Sequence, residues 1–140
     1  MIVVSECFTG TCCRMDGGSK LIPGIKALVD AGEAVAVCPE VLGGLPTPRH
    51  PSELRDGRVH NRAGEDVTDA FVRGAERAME ICRAHGCTIA ILKAKSPSCG
   101  CGMIHNGQFD GGLVPGNGVF AQMLLDAGIP VLTEQAFSVP

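Results

Sequence analysis

The sequence of 140 residues contains no Trp, no Tyr and only five Phe, and its formal charge is −3. Proteins that grip long nucleic acid use a basic stripe that releases counterions, or aromatic platforms on which bases stack. Neither is present, so long nucleic acid is excluded as a partner, whereas a single nucleotide needs only a few placed groups and stays open. No run approaches the roughly eighteen uninterrupted apolar residues that span a bilayer. The opening MIVVSECF lacks the basic start and long apolar stretch of a signal peptide. The expected setting is the cytoplasm, with no membrane partner. Short metal signatures are missing too: there is no C-x2-C-x2-C-x3-C run of a ferredoxin and no paired CxxC knuckles of a zinc ribbon. His50, His60, His85 and His105 show no ligand spacing. Internal repeats and low-complexity tracts are absent.

At 45% hydrophobic, the chain can build one core of ordinary size and is short for two, which gives one domain over residues 1–140. It holds eight cysteines. In a secreted protein that even number would suggest disulfides, but a reducing compartment favours metal or catalytic use. Buried, inert thiols are the alternative, since free cysteine packs as a small hydrophobe.

Four Val- and Ile-rich runs read as buried strands: Ile2 to Ser5, Ala34 to Val37, Thr88 to Leu92 and Ile129 to Leu132. Leu21, Ile25, Leu28 and Val29 recur at helical spacing between the first two, with Pro23 in the first turn and Gly32 as the stop. From Thr68 to Ala84, Phe71, Val72, Ala75, Ala78, Met79 and Cys82 share one face, and Gly86 ends the helix. A third helix covers Gly118 to Ala127. Strands alternating with helices predict an α/β fold, a Rossmann-like parallel sheet with flanking helices. The stretch from Pro39 to Gly64 shows little periodicity and reads as a long loop of the kind that is functional or disordered. Asp110 to Gly118, DGGLVPGNG, matches neither GxGxxG nor a P-loop and is expected to be a mobile loop flanking the site.

Cys7, Cys38 and Cys99 each follow a predicted strand. Ligands of parallel sheets gather outside the carboxyl ends of the strands, so these thiols converge on one crevice if the strands are neighbours. Three thiolates would satisfy three corners of a cubane cluster and leave one iron open to a sulfur-bearing substrate, as an open metal position does generally. On strand position alone, a shared metal site and separate buried thiols both stand.

Four segments read together are more specific: SECFTGTCCRMDGGSK (Ser5 to Lys20), CPEVLGGLPTPR (Cys38 to Arg49), GEDVTDAF (Gly64 to Phe71) and LKAKSPSCG (Leu92 to Gly100). In that order the chain resembles the family long catalogued as a domain of unknown function, whose characterised members are thiouracil desulfidases. The resemblance implies a [4Fe-4S] cluster held by Cys7, Cys38 and Cys99. It also implies a proton-handling pair on Glu40 and Ser96, and removal of sulfur as sulfide from a thionucleobase or thionucleotide without net electron transfer. Arg14, Lys20 and Arg49, in or after loops at the same edge, are candidates for holding an anionic substrate. Met15 stands where the family commonly has tyrosine, and Cys12 and Cys101 are additional thiols. Cys101, two residues from Cys99 between two glycines, is a rival fourth ligand. Two other readings remain: a non-catalytic carrier of a cluster or of sulfide, and a thiol redox protein working through Cys12, Cys13, Cys99 and Cys101.

Overall fold

The computed structural model describes residues 1–136. In chain order the first half forms β1 (Ile2–Ser5), α1 (Pro23–Asp30), β2 (Ala34–Val37), α2 (Pro39–Leu42), β3 (Ser52–Arg55) and β4 (Arg58–Asn61). The second half forms α3 (Thr68–His85), β5 (Ile89–Leu92), β6 (Met103–His105), β7 (Leu113–Pro115), α4 (Val119–Asp126) and β8 (Val131–Thr133). A parallel sheet of four strands in the order β2-β1-β5-β8 lies at the centre. None of the described helices is long and apolar enough to cross a membrane.

Side chains of a strand alternate between faces, and β1 shows how the core follows from that. Val3 packs with Val37, Ala90 and Leu92 against Ala75, Ala78 and Met79 of α3 and Phe120 and Leu124 of α4. Val4 and Ile91 point the other way, onto Ile25 of α1 and onto Phe8. Both valines are 0% exposed, as expected of a central strand covered on both faces. The helix ends follow local chemistry. Pro23 occupies the first turn of α1, where its missing N–H costs nothing. Asp66 Oδ1 accepts the Thr68 N–H at 2.9 Å at the start of α3.

The Pro39 to Gly64 stretch departs from the expected loop. It holds α2 and a β3–β4 hairpin in which Leu54 opposes Val59. The hairpin turns on Asp56 and Gly57, both with positive φ (52° and 76°), the conformation a two-residue turn needs to match strand twist. DGGLVPGNG also departs from the mobile-loop expectation, because it contains β7, which pairs antiparallel with β6. The predicted strand at Ile129 to Leu132 begins later, at Val131.

α2 is one turn long, and its place is set by α3. A Cβ added at Gly74 would lie 1.8 Å from the Pro39 carbonyl oxygen, and one at Gly43 would lie 2.0 Å from that of Ala70. The two helices therefore touch backbone to backbone. Arg73 donates to the Gly43 carbonyl at 2.7 and 3.2 Å and ties the same turn down. Gly74→Ala should gain roughly 1 kcal/mol of helix propensity, but it must push α2 outward, and overpacking of this kind costs about 1–3 kcal/mol or more. The expected net effect is destabilisation, read as a lower urea midpoint at unchanged m-value; a more stable variant would show that α2 yields freely.

Candidate active site

The connection leaving β1 runs through α1 to β2 on one side, whereas the connection leaving β5 runs through α4 to β8 on the other. The strand order thus reverses between β1 and β5, and a crevice opens beyond their carboxyl ends, the position where such sheets bind ligands. The Ser5 hydroxyl accepts the Lys93 N–H at 2.9 Å and joins the two strand ends at the crevice floor.

A cavity of about 440 Å³ occupies this position. Cys7 reaches it from the 3-10 turn Glu6–Thr9 that follows β1, and its carbonyl is pinned by the Lys20 N–H at 2.8 Å. Cys38 reaches it from the junction of β2 and α2. Cys99 reaches it from the turn after β5, where the Ser96 hydroxyl accepts the Cys99 and Ser98 N–H groups at 3.0 and 3.1 Å. A fourth thiol, Cys13, lines the same wall.

These thiols sense one another. Burial pushes Cys7 up to about 11, and the nearby Cys38 adds to the rise while Arg14 and Lys93 oppose it. Burial raises Cys99 further, with the Ser5 hydroxyl working against it and Cys38 and Cys7 adding to it. Cys38 goes the other way, to about 7, chiefly through hydrogen bonding from the Cys13 thiol and also through the Val41 N–H. Cys13 is correspondingly raised, first by that bond and then by burial. All eight cysteines are free thiols.

Glu40 and Arg49 form a partly buried pair on the cavity wall, Nε to Oε1 at 3.0 Å. The rest of the guanidinium is committed to the chain: Nη2 donates to the Cys13 carbonyl at 3.0 Å, and Nη1 donates to the Pro46 carbonyl and the Thr47 hydroxyl, both at 3.1 Å. With those bonds made, a single N–H of Arg49 is left over. Its geometry is that of a clamp on the loop around Glu40, and it lines the cavity as well. Arg14 lines the cavity and lies 3.6 Å from Asp16. Lys20 is exposed and does not line the cavity, and its backbone N–H bonds the Cys7 carbonyl. Cys101 is half-buried and does not line the cavity, and Cys12 is exposed. Among the described residues no three His, Cys, Asp or Glu side chains close on a single metal ion.

Several cavity residues escaped the sequence reading. Lys93 directly follows β5 and pairs with Glu134 at 2.9 Å, and Glu134 also accepts the Ala94 N–H at 2.6 Å. Glu53 of β3, His105 of β6 and Phe109 line the cavity as well, with the Arg62 guanidinium 5.5 Å from the Phe109 ring centre. The Asp-Gly pair at 56 and 57 was the available signal for the hairpin that carries Glu53.

Comparison with known proteins gives a consistent picture. A family model described as 2-thiouracil desulfurase matches residues 2–136. The uncharacterised protein YbbK of Bacillus subtilis (strain 168) is 40% identical over 144 aligned positions, covering 96% of this chain and 95% of its own. A solved structure described as the [4Fe-4S]-dependent thiouracil desulfidase TudS superimposes with a TM-score of 0.91 at 46% identity, covering 96% of this chain and 90% of that one. With nearly its whole length matched in both sequence and architecture, the chain belongs to the 2-thiouracil desulfurase family.

Proposed function

We propose that the protein is an enzyme that removes sulfur from 2-thiouracil or a thiouridine nucleotide, using a [4Fe-4S] cluster held by Cys7, Cys38 and Cys99. The observation that carries this reading is the arrival of these three thiols, from three separate elements, on one cavity wall that also presents Glu40 and Ser96. The donor set suits a cubane better than a single ion. Each cysteine of a cubane binds a different iron, so the sulfurs need to line one cavity and need not meet at a common centre, and Cys7, Cys38 and Cys99 line one cavity. Free thiols of this kind suit a reducing, cytoplasmic setting.

When bound, the cluster supplies a thiophilic iron without a protein ligand, suited to a thiocarbonyl sulfur. In the overall change one water molecule gives its oxygen to the ring carbon, the carbon-sulfur double bond becomes a carbonyl, and the sulfur leaves as hydrogen sulfide with both protons of the water. This balances without an oxidant or a reductant. Glu40 stands on the first turn of α2, anchored through Oε1 by Arg49, so Oε2 can take a proton from water. The Ser96 oxygen accepts two backbone N–H bonds and keeps its own proton to donate, which suits a relay between water and the ring. Arg14 and Lys93 bring positive charge to the wall beside Cys7.

Two outcomes test this reading. Anaerobic reconstitution with iron and sulfide should give a brown protein with about four of each per chain, the ratio of a cubane. Cys7→Ser, Cys38→Ser and Cys99→Ser should each lose most of that iron, while Cys101→Ser should retain it; a colourless Cys101→Ser protein would instead place that thiol among the ligands. Glu40→Gln should keep the colour and iron content, yet lower kcat for 2-thiouracil by roughly 10²- to 10⁴-fold, followed by the fall of thiocarbonyl absorbance. Full turnover in that variant would remove the acid-base assignment.

A further inference from the structure

Glu53 is a carboxylate 9% exposed that lines the same cavity as the thiols. Its Oε1 accepts two backbone N–H bonds, from Gly107 at 2.9 Å and Phe109 at 3.1 Å. No hydrogen bond or ion pair within the described residues reaches its Oε2. That atom is also not among the sealed-off polar atoms without a partner, which are Ser98 Oγ and His105 Nδ1, so it retains an open side. Arg62 and Lys93 line the same cavity, but the one turns over Phe109 and the other pairs with Glu134. A structural clip between β3 and the 107–109 turn would need only Oε1.

Resting on the function proposed above, we infer that Glu53 is a specificity residue whose free oxygen accepts the ring N3–H of the pyrimidine. Of the two ring N–H groups of a free thiouracil, N1–H is lost when the base carries a ribose, whereas N3–H is shared by base, nucleoside and nucleotide. An acceptor fixed by two backbone bonds therefore reads the part common to all three. It also discriminates by removal: a ring that offers no proton there leaves the buried oxygen unpaired, the situation in which polar recognition rejects analogues most strongly.

The test uses the reconstituted holoenzyme and three ligands: 2-thiouracil, its 1-methyl derivative and its 3-methyl derivative. The two methylated rings add the same volume at different nitrogens. Wild-type protein should accept the 1-methyl ring within a few-fold of 2-thiouracil and lose roughly 10- to 100-fold in kcat/KM on the 3-methyl ring, the factor expected for one hydrogen bond to a charged acceptor. Glu53→Gln keeps a carbonyl oxygen for Gly107 and Phe109 but turns an N–H donor toward the ring. It should lose a similar factor on 2-thiouracil, mainly in KM, and its preference between the methylated rings should shrink to a few-fold. A merely structural clip would leave that preference at its wild-type value, and this result would overturn the inference. Equal handling of the two methylated rings by the wild type would overturn it as well, without any variant having to fold. Failure of the wild type on 2-thiouracil itself would overturn the proposed function, and the inference with it.

Discussion

The pairing of β1 with β2 on one side and β5 on the other governs both the core and the candidate site. Ser5, the last residue of β1, is level with Val37, and its hydroxyl holds the first amide beyond β5. A slip of one residue would turn Val3 and Val4 to the wrong faces, a loss the core cannot absorb because both are wholly enclosed. The same slip would move Cys7 relative to Cys38 and Cys99. Hydrophobic register therefore fixes the spacing of the sulfurs.

Burial first, and crowding after it, disfavours the ionised thiols on their own, as the upward shifts at Cys7 and Cys99 register. The surroundings lessen the penalty without removing it. Arg14 and Lys93 favour the Cys7 thiolate, the Ser5 hydroxyl favours that of Cys99, and Cys13 and the Val41 amide favour that of Cys38. Arg49 contributes differently. By bonding Glu40, Cys13 and the Pro46–Thr47 segment together, it ties the loop that carries Cys13 to the segment that carries Cys38 and the proposed base.

The parallel sheet and its three longer helices were legible because each rests on a local signal: Val- and Ile-rich runs for the strands, a 3.6-residue stripe from Phe71 to Cys82, Pro23 and Gly86 at helix ends. The convergence of Cys7, Cys38 and Cys99 was legible only conditionally, since it depends on strand order, which no short motif encodes. The hairpin was missed for a physical reason. Its strands, Ser-Glu-Leu-Arg and Arg-Val-His-Asn, carry one apolar residue each, so alternation is weak and only the Asp-Gly turn betrays them. Lys20 shows how little closeness along the chain fixes a side chain: its backbone bonds Cys7 while the residue is exposed.

The cavity is thus built by two kinds of structure with different demands. The sulfur-bearing wall belongs to the central sheet and to α2, pressed backbone to backbone on α3, where a single added methyl group has no room. Further lining comes from two short antiparallel ribbons, which a core of their own could not stabilise. They are joined to each other by Glu53, through Gly107 and Phe109, and by the contact of Arg62 with Phe109. Chemistry that tolerates little displacement is placed on the rigid side. In the proposed reading, recognition of the ring would fall to the ribbons, where a change of one residue would alter what fits without disturbing the register on which the sulfurs depend.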